Sequence, residues 1–172
     1  HPSHPEGNRM KTVSISLRSV ALIAGAASLV ACGGASYDPN SPEGQAFELR
    51  YGIMEEAGEK MQLINNMARE QIPVDEAAFA EAAVELAELT ARMPEGFEIE
   101  SPLDGSRSDP AIWQNKADFD SRMQASIDAT AALAEAAQNG GFAAAQALVV
   151  GNPTTSSTCG GCHNTYRLPE ED

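Results

Sequence analysis

Nine residues before its end the chain reads Cys159-Gly160-Gly161-Cys162-His163, and no other stretch narrows the possible folds so far. Two thiols three positions apart lie on neighbouring positions of a helical turn, and the imidazole that follows at once is carried to the same side. That pattern suits covalent attachment of haem, with each thiol adding to a vinyl group and His163 ligating the iron. Other chemistries fit less well. A structural zinc site needs four ligands, yet the other histidines are His1 and His4 and the only other cysteine is Cys32. A redox CxxC belongs beside a βαβ pattern, and no segment alternates like a strand. A plain disulfide stays open but leaves His163 without a role.

The beginning of the chain points to export. Residues 1–9 precede Met10 and contain no periodicity. After Met10, Lys11 and Arg18 supply positive charge, and Val20 to Val30 form an apolar run too short to span a bilayer but suited to a signal peptide. Leu29-Val30-Ala31-Cys32 resembles the lipobox of bacterial lipoproteins, which implies cleavage before Cys32 and its lipidation. Residues 1–31 are thus read as extension and signal peptide, and Gly33 is not the aspartate associated with inner-membrane retention. The expected location is the periplasm, anchored to a membrane through Cys32, the outer one by preference. Residues 32–40 read as a tether and 41–172 as the folded domain. An export route and a haem-binding thiol pair support each other.

Charge limits the partners. The whole chain carries −14, and the part after residue 31 has 8 basic and 24 acidic side chains, so a nucleic-acid partner is excluded for want of a basic face. With a single histidine after residue 31, neither a Ser-His-Asp triad nor a His-containing di-iron site can be assembled. No catalytic residue is assigned and the chain is not read as an enzyme.

Periodicity gives four helical stretches. Ser41-Pro42-Glu43 is a start signal, and Phe47, Met54, Met61 and Ala68 follow at intervals of seven, with Ile53 and Ile64 beside them, as a buried stripe. Pro73 closes this helix, and Asp75 caps a second one, with Phe79, Ala82, Ala83, Leu86 and Leu89 inward, running to about Met93. Residues 95–108 form the one long connection. Asp109-Pro110 opens a third helix, with Ile112, Trp113, Ala117, Phe119, Met123, Ile127, Thr130 and Leu133 inward, which Asn139-Gly140-Gly141 stops. A fourth runs from Phe142, breaks at Gly151-Asn152-Pro153 and restarts under a Ser156-Ser157-Thr158 cap to carry the thiols. Stretches of about 18 to 30 residues measure about 27 to 45 Å at 1.5 Å per residue, the dimensions of an all-α, antiparallel up-down four-helix bundle.

Several of these residues together resemble the cytochrome c′ family: Arg50 and Met54 on the first helix, the Pro73-Val74-Asp75 junction, Asp109-Pro110-Ala111-Ile112-Trp113 with Phe119 after it, and Cys159 to Arg167 at the end. The resemblance spans Ser41 to Leu168. It implies one haem c, thioether bonds from Cys159 and Cys162, His163 as proximal ligand, Arg167 beside that ligand, and Arg50 near the propionates. Met54 falls where high-spin members place an apolar blocking side chain and some low-spin relatives a ligating methionine. The expected activity is one-electron transfer or binding of small gases such as nitric oxide and carbon monoxide at a hindered five-coordinate iron. A six-coordinate carrier with Met54 and His163 both ligated is the alternative. Redox proteins are the implied partners, with homodimers through the first two helices a further expectation. The sequence departs from the family in the break before Cys159 and in having Phe97, not an aromatic directly after Pro94.

Overall fold

A computed structural model describes residues 37–151 and 155–169. The signal peptide over 1–31, Cys32, residues 33–36 of the tether and the Asn152-Pro153 break lie outside them. Ser41 starts α1 (Pro42–Ala68) as read: its side chain accepts from the Gly44 amide at 2.9 Å, and Pro42 spends no amide at a position where none is needed. Asp75 does the same for α2 (Glu76–Arg92), accepting from the amides of Ala77 and Ala78.

A short 3₁₀ turn, Met93–Phe97, follows α2, and the connection then runs to Asp109. The third stretch is divided: α3 (Ala111–Gln114) gives way at Asn115 to α4 (Lys116–Glu135). Asn competes with the helix through local polar contacts, and the break turns α3 so that Ile112 is buried and Trp113 Nε1 donates to the Phe97 carbonyl at 3.2 Å. One consequence overturns an expectation, since Ala117 faces solvent. The last turn before Gly141 is π-helical, Ala136–Gly140, and Gly141 takes φ 76°, which only glycine adopts without strain, to start α5 (Gly141–Val150). Helix α6 (Thr155–Tyr166) already begins at Thr155. Ser156, Ser157 and Thr158 therefore sit inside its first turns, not at a cap, and Ser156 Oγ instead pairs with the Asn65 side chain on α1.

The fold class is all-α, a four-helix bundle with α5 and α6 together as its fourth member. Among the described residues there is no strand, only an isolated bridge between Ser108 and Arg167. No described helix is long and apolar enough to cross a membrane. Helix α1 packs on α2, α2 on α4 and α4 on α6, around Ile53, Ile64, Phe79, Ala83, Leu86, Met123 and Leu133. The stripe expected on α1 is split between two surroundings. Ile53, Ile64 and Ala68 enter this core, whereas Phe47, Met54 and Met61 are only half-buried because they border a cavity.

Candidate haem site

That cavity, about 830 Å³, separates α6 from α1. Its lining is mainly apolar: Phe47, Met54 and Met61 from α1, Leu86 from α2, Met93 and Phe97 from the 3₁₀ turn, Phe119 and Met123 from α4. From the α6 side come Cys159, Cys162 and His163. All three are half-buried and both cysteines are free thiols. The spacing thus does what the sequence asks of it, presenting two thiols and an imidazole to one space. Burial pushes both thiols above their ordinary pKa, with the field of Arg122 opposing this at Cys162. Burial also lowers the His163 pKa, helped by the positive charges of Arg167 and Arg107, which favours the neutral ring with a lone pair to give.

Arg50 also borders the cavity, and it is only 5% exposed. Its Nη1 donates to the Gly96 carbonyl and to Ser101 Oγ, both at 2.8 Å, and its Nη2 to the Ser101 carbonyl at 3.1 Å and Ser106 Oγ at 3.4 Å. The guanidinium lies over the rings of Phe97 and Trp113 at 5.2 and 5.9 Å. Burial lowers its pKa, but an arginine stays charged. Gly96 makes this possible: a Cβ there would meet Cβ and Cα of Arg50 at 3.0 and 3.1 Å. Neither Gly96 nor Ser101 and Ser106 is recognisable as part of the site from sequence, because their contacts to Arg50 span 46 to 56 residues.

Met54 lines the cavity from α1 while His163 lines it from α6. Arg167, exposed, borders the cavity near His163, whose carbonyl its amide reaches at 3.0 Å. The end of α6 is tied to the long connection: Leu168 N donates to the Arg107 carbonyl at 2.8 Å and Asp109 N to that of Tyr166 at 3.0 Å. Cys32 lies outside the described residues. No cluster of three or more His, Cys, Asp or Glu side chains able to hold a bare metal ion occurs among the described residues. The mainly apolar space of about 830 Å³ beside the two thiols and the imidazole suits a porphyrin.

The sequence profile of the family described as Cytochrome C′ matches residues 45–167. The chain belongs to the cytochrome c′ family. A cytochrome c-556 from Agrobacterium tumefaciens (strain II Chrys) is 34% identical over 124 residues, 70% of this chain and 95% of that protein. A cytochrome c prime from Shewanella frigidimarina is 32% identical with a TM-score of 0.65, over 74% of this chain and 97% of that one. A nitric oxide complex of a cytochrome c prime variant from Alcaligenes xylosoxidans, 23% identical with a TM-score of 0.66 over 74% of this chain and 97% of that one, shares the fold. The cofactor of this cytochrome c′ family member is a single, covalently attached haem c, and the cavity holds the residues that motif requires.

Proposed function

We propose that the protein is a periplasm-facing haem protein, lipid-anchored through Cys32, that transfers single electrons and binds small neutral gases at a hindered five-coordinate iron. The observation that carries this reading is the make-up of the cavity: one imidazole, His163, on its α6 side, faced by apolar Phe47, Met54 and Met61 of α1. Haem bound there supplies a one-electron couple and a coordination position not taken by His163. Cys159 and Cys162 fix it through thioether bonds. Arg50 is a buried cation whose four Nη hydrogens are already engaged with the 96–106 segment. What it has left for a propionate is its Nε–H and its charge. The apolar α1 wall admits neutral diatomics, while Met54 has no proton to donate to bound dioxygen. Redox proteins are the partners this implies.

A second reading has an observation of its own, since Met54 lines the same cavity from the side away from His163. Its thioether then ligates the iron and the protein is a low-spin electron carrier. Absorption and EPR spectra of the ferric and ferrous forms decide between them. High-spin signals with carbon monoxide uptake by the ferrous protein support the open site, and low-spin spectra in both states sink it. Met54→Leu leaves the spectra of an open site unchanged and turns a ligated one high-spin. For the anchor, labelled fatty acid is expected in the membrane-bound protein and absent from Cys32→Ser. Equal labelling of the two would defeat the assignment.

A further inference from the structure

Helix α6 is gripped from α4 by residues that haem attachment itself does not call for. Tyr166, three residues after His163, donates its hydroxyl proton to Asp118 Oδ2 at 2.6 Å. Arg122 Nε donates to the same oxygen at 2.7 Å, and its Nη1 reaches the carbonyl of Gly161, which lies between the two cysteines, at 3.3 Å. The Tyr166 ring is buried edge-on against Phe119, centroids 5.3 Å apart. One carboxylate therefore collects both donors, and the pair touches α6 on each side of His163. An i,i+4 pair on a helix surface ordinarily does little. Here the two contacts tie it to the helix that carries both cysteines and His163, on either side of that histidine.

We propose that Arg122 and Asp118 are a positioning pair that sets the reduction potential of the haem held by Cys159, Cys162 and His163, with Arg122 the acting charge and Asp118 its anchor and counterweight. The inference rests on the haem reading above. A fixed positive charge favours the iron form with one more electron, and a fixed negative charge favours the form with one fewer. Asp118 subtracts from what Arg122 supplies. The side chains are 41% and 54% exposed, so solvent attenuates the field and high salt weakens it further.

The test is the midpoint potential of the complete, haem-bearing protein at low ionic strength, after covalent haem has been verified by extraction with acidified acetone. Asp118→Asn is expected to raise the ferrous-to-ferric ratio at a fixed potential about threefold, which at 59 mV per tenfold for one electron is about 30 mV. Arg122→Gln is expected to lower it by a similar factor, and the double variant to return close to the wild type. Arg122→Lys and Asp118→Glu, which keep the charges, should leave the potential in place. A purely structural clamp gives no such opposition of sign. Single variants that shift the same way, or by much less than threefold, overturn the proposal. Should a neutral variant fail to hold haem, the charge-keeping pair decides, because a threefold shift in either also overturns it. A wild-type protein without covalent haem refutes the underlying haem reading instead.

Discussion

Replacing Arg50 by Met tests whether the long connection is held to α1 by one side chain. Met keeps much of the apolar stem but strips four hydrogen bonds, two of them at 2.8 Å. The acceptors left behind include both oxygens of Ser101, a residue with no exposure at all, so water does not readily replace the lost donors. A buried acceptor without a partner costs about 1–3 kcal/mol. Ser106 Oγ at 3.4 Å is the weakest contact and contributes least, and removing the cation returns its desolvation cost. The balance is a loss of roughly 3 kcal/mol. At about 4 °C per kcal/mol for a domain of this size, that lowers the melting temperature by roughly 10 °C. Arg50→Lys keeps the charge, but a single ammonium cannot span acceptors on Gly96, Ser101 and Ser106, so it is expected to recover at most half. Guanidinium unfolding followed by far-ultraviolet circular dichroism measures both variants on protein of equal haem content. If Arg50→Met falls within about 1 kcal/mol of the wild type with an unchanged m-value, the reasoning that these buried bonds organise residues 96–106 is wrong.

Further outcomes follow from the same geometry. Cys159→Ser combined with Cys162→Ser is expected to leave any haem extractable by acidified acetone, whereas the wild type keeps its colour in the protein fraction; pigment retained by the double variant would contradict thioether attachment. Thr90 Oγ1 and Thr130 Oγ1 meet at 2.6 Å in the α2–α4 core, and Thr90 Oγ1 also donates to the Ala87 carbonyl at 3.1 Å, so Thr130→Val should cost about 1 kcal/mol in chemical unfolding and adding Thr90→Val should cost less than the sum of the two single changes, because they share one hydrogen bond. Asp118 is held below the usual carboxylate pKa by the Tyr166 hydroxyl and then by Arg122. Its depressed folded pKa means that its stabilisation is present above the unfolded value near 3.9 and is lost as pH falls through the folded one. The stability difference between wild type and Asp118→Asn should accordingly be constant from about pH 5 upward and vanish in stronger acid, as urea titrations at several pH values would show.

The helices were legible where one local cause acts. Ser41 and Asp75 cap as read because capping involves residues two or three apart, and the period of Phe79, Ala82, Ala83 and Leu86 fixes one face of α2 whatever it meets. Reading failed where a second surface competes. Phe47, Met54 and Met61 have the spacing of a core stripe, and nothing in that spacing separates a core from a cofactor cavity, since both select apolar side chains. Ala117 fits the period of an unbroken third helix and falls outside once Asn115 interrupts it. Cys159, Cys162 and His163 were accessible because their chemistry is confined to five adjacent residues. The partners of Arg50, and the Asp118, Arg122 and Tyr166 contacts, become neighbours only through tertiary packing; the i,i+4 spacing of Asp118 and Arg122 would by itself signal no more than a surface pair.

The same distinction bears on how the bundle makes room for a porphyrin. Helices α1 and α2, and α2 and α4, pack on each other, and α2 buries small side chains such as Ala82 and Ala83, which permit close approach. Helix α6 offers no comparable apolar stripe towards α1: over Thr155–Tyr166 its buried residues are Thr155 and Tyr166. It is held instead at its ends and along its α4 side, by Asn65 with Ser156 at the start, Arg122 with the Gly161 carbonyl midway, and Tyr166 and Leu168 at the finish. A helix fastened by directional polar contacts can stand off from its neighbour, because those contacts fix distance in a way that apolar burial does not. The cavity is thus the consequence of how α6 is attached, and a variant that gave α6 an apolar face, such as Gly160→Leu, should close the space and compete with haem for it.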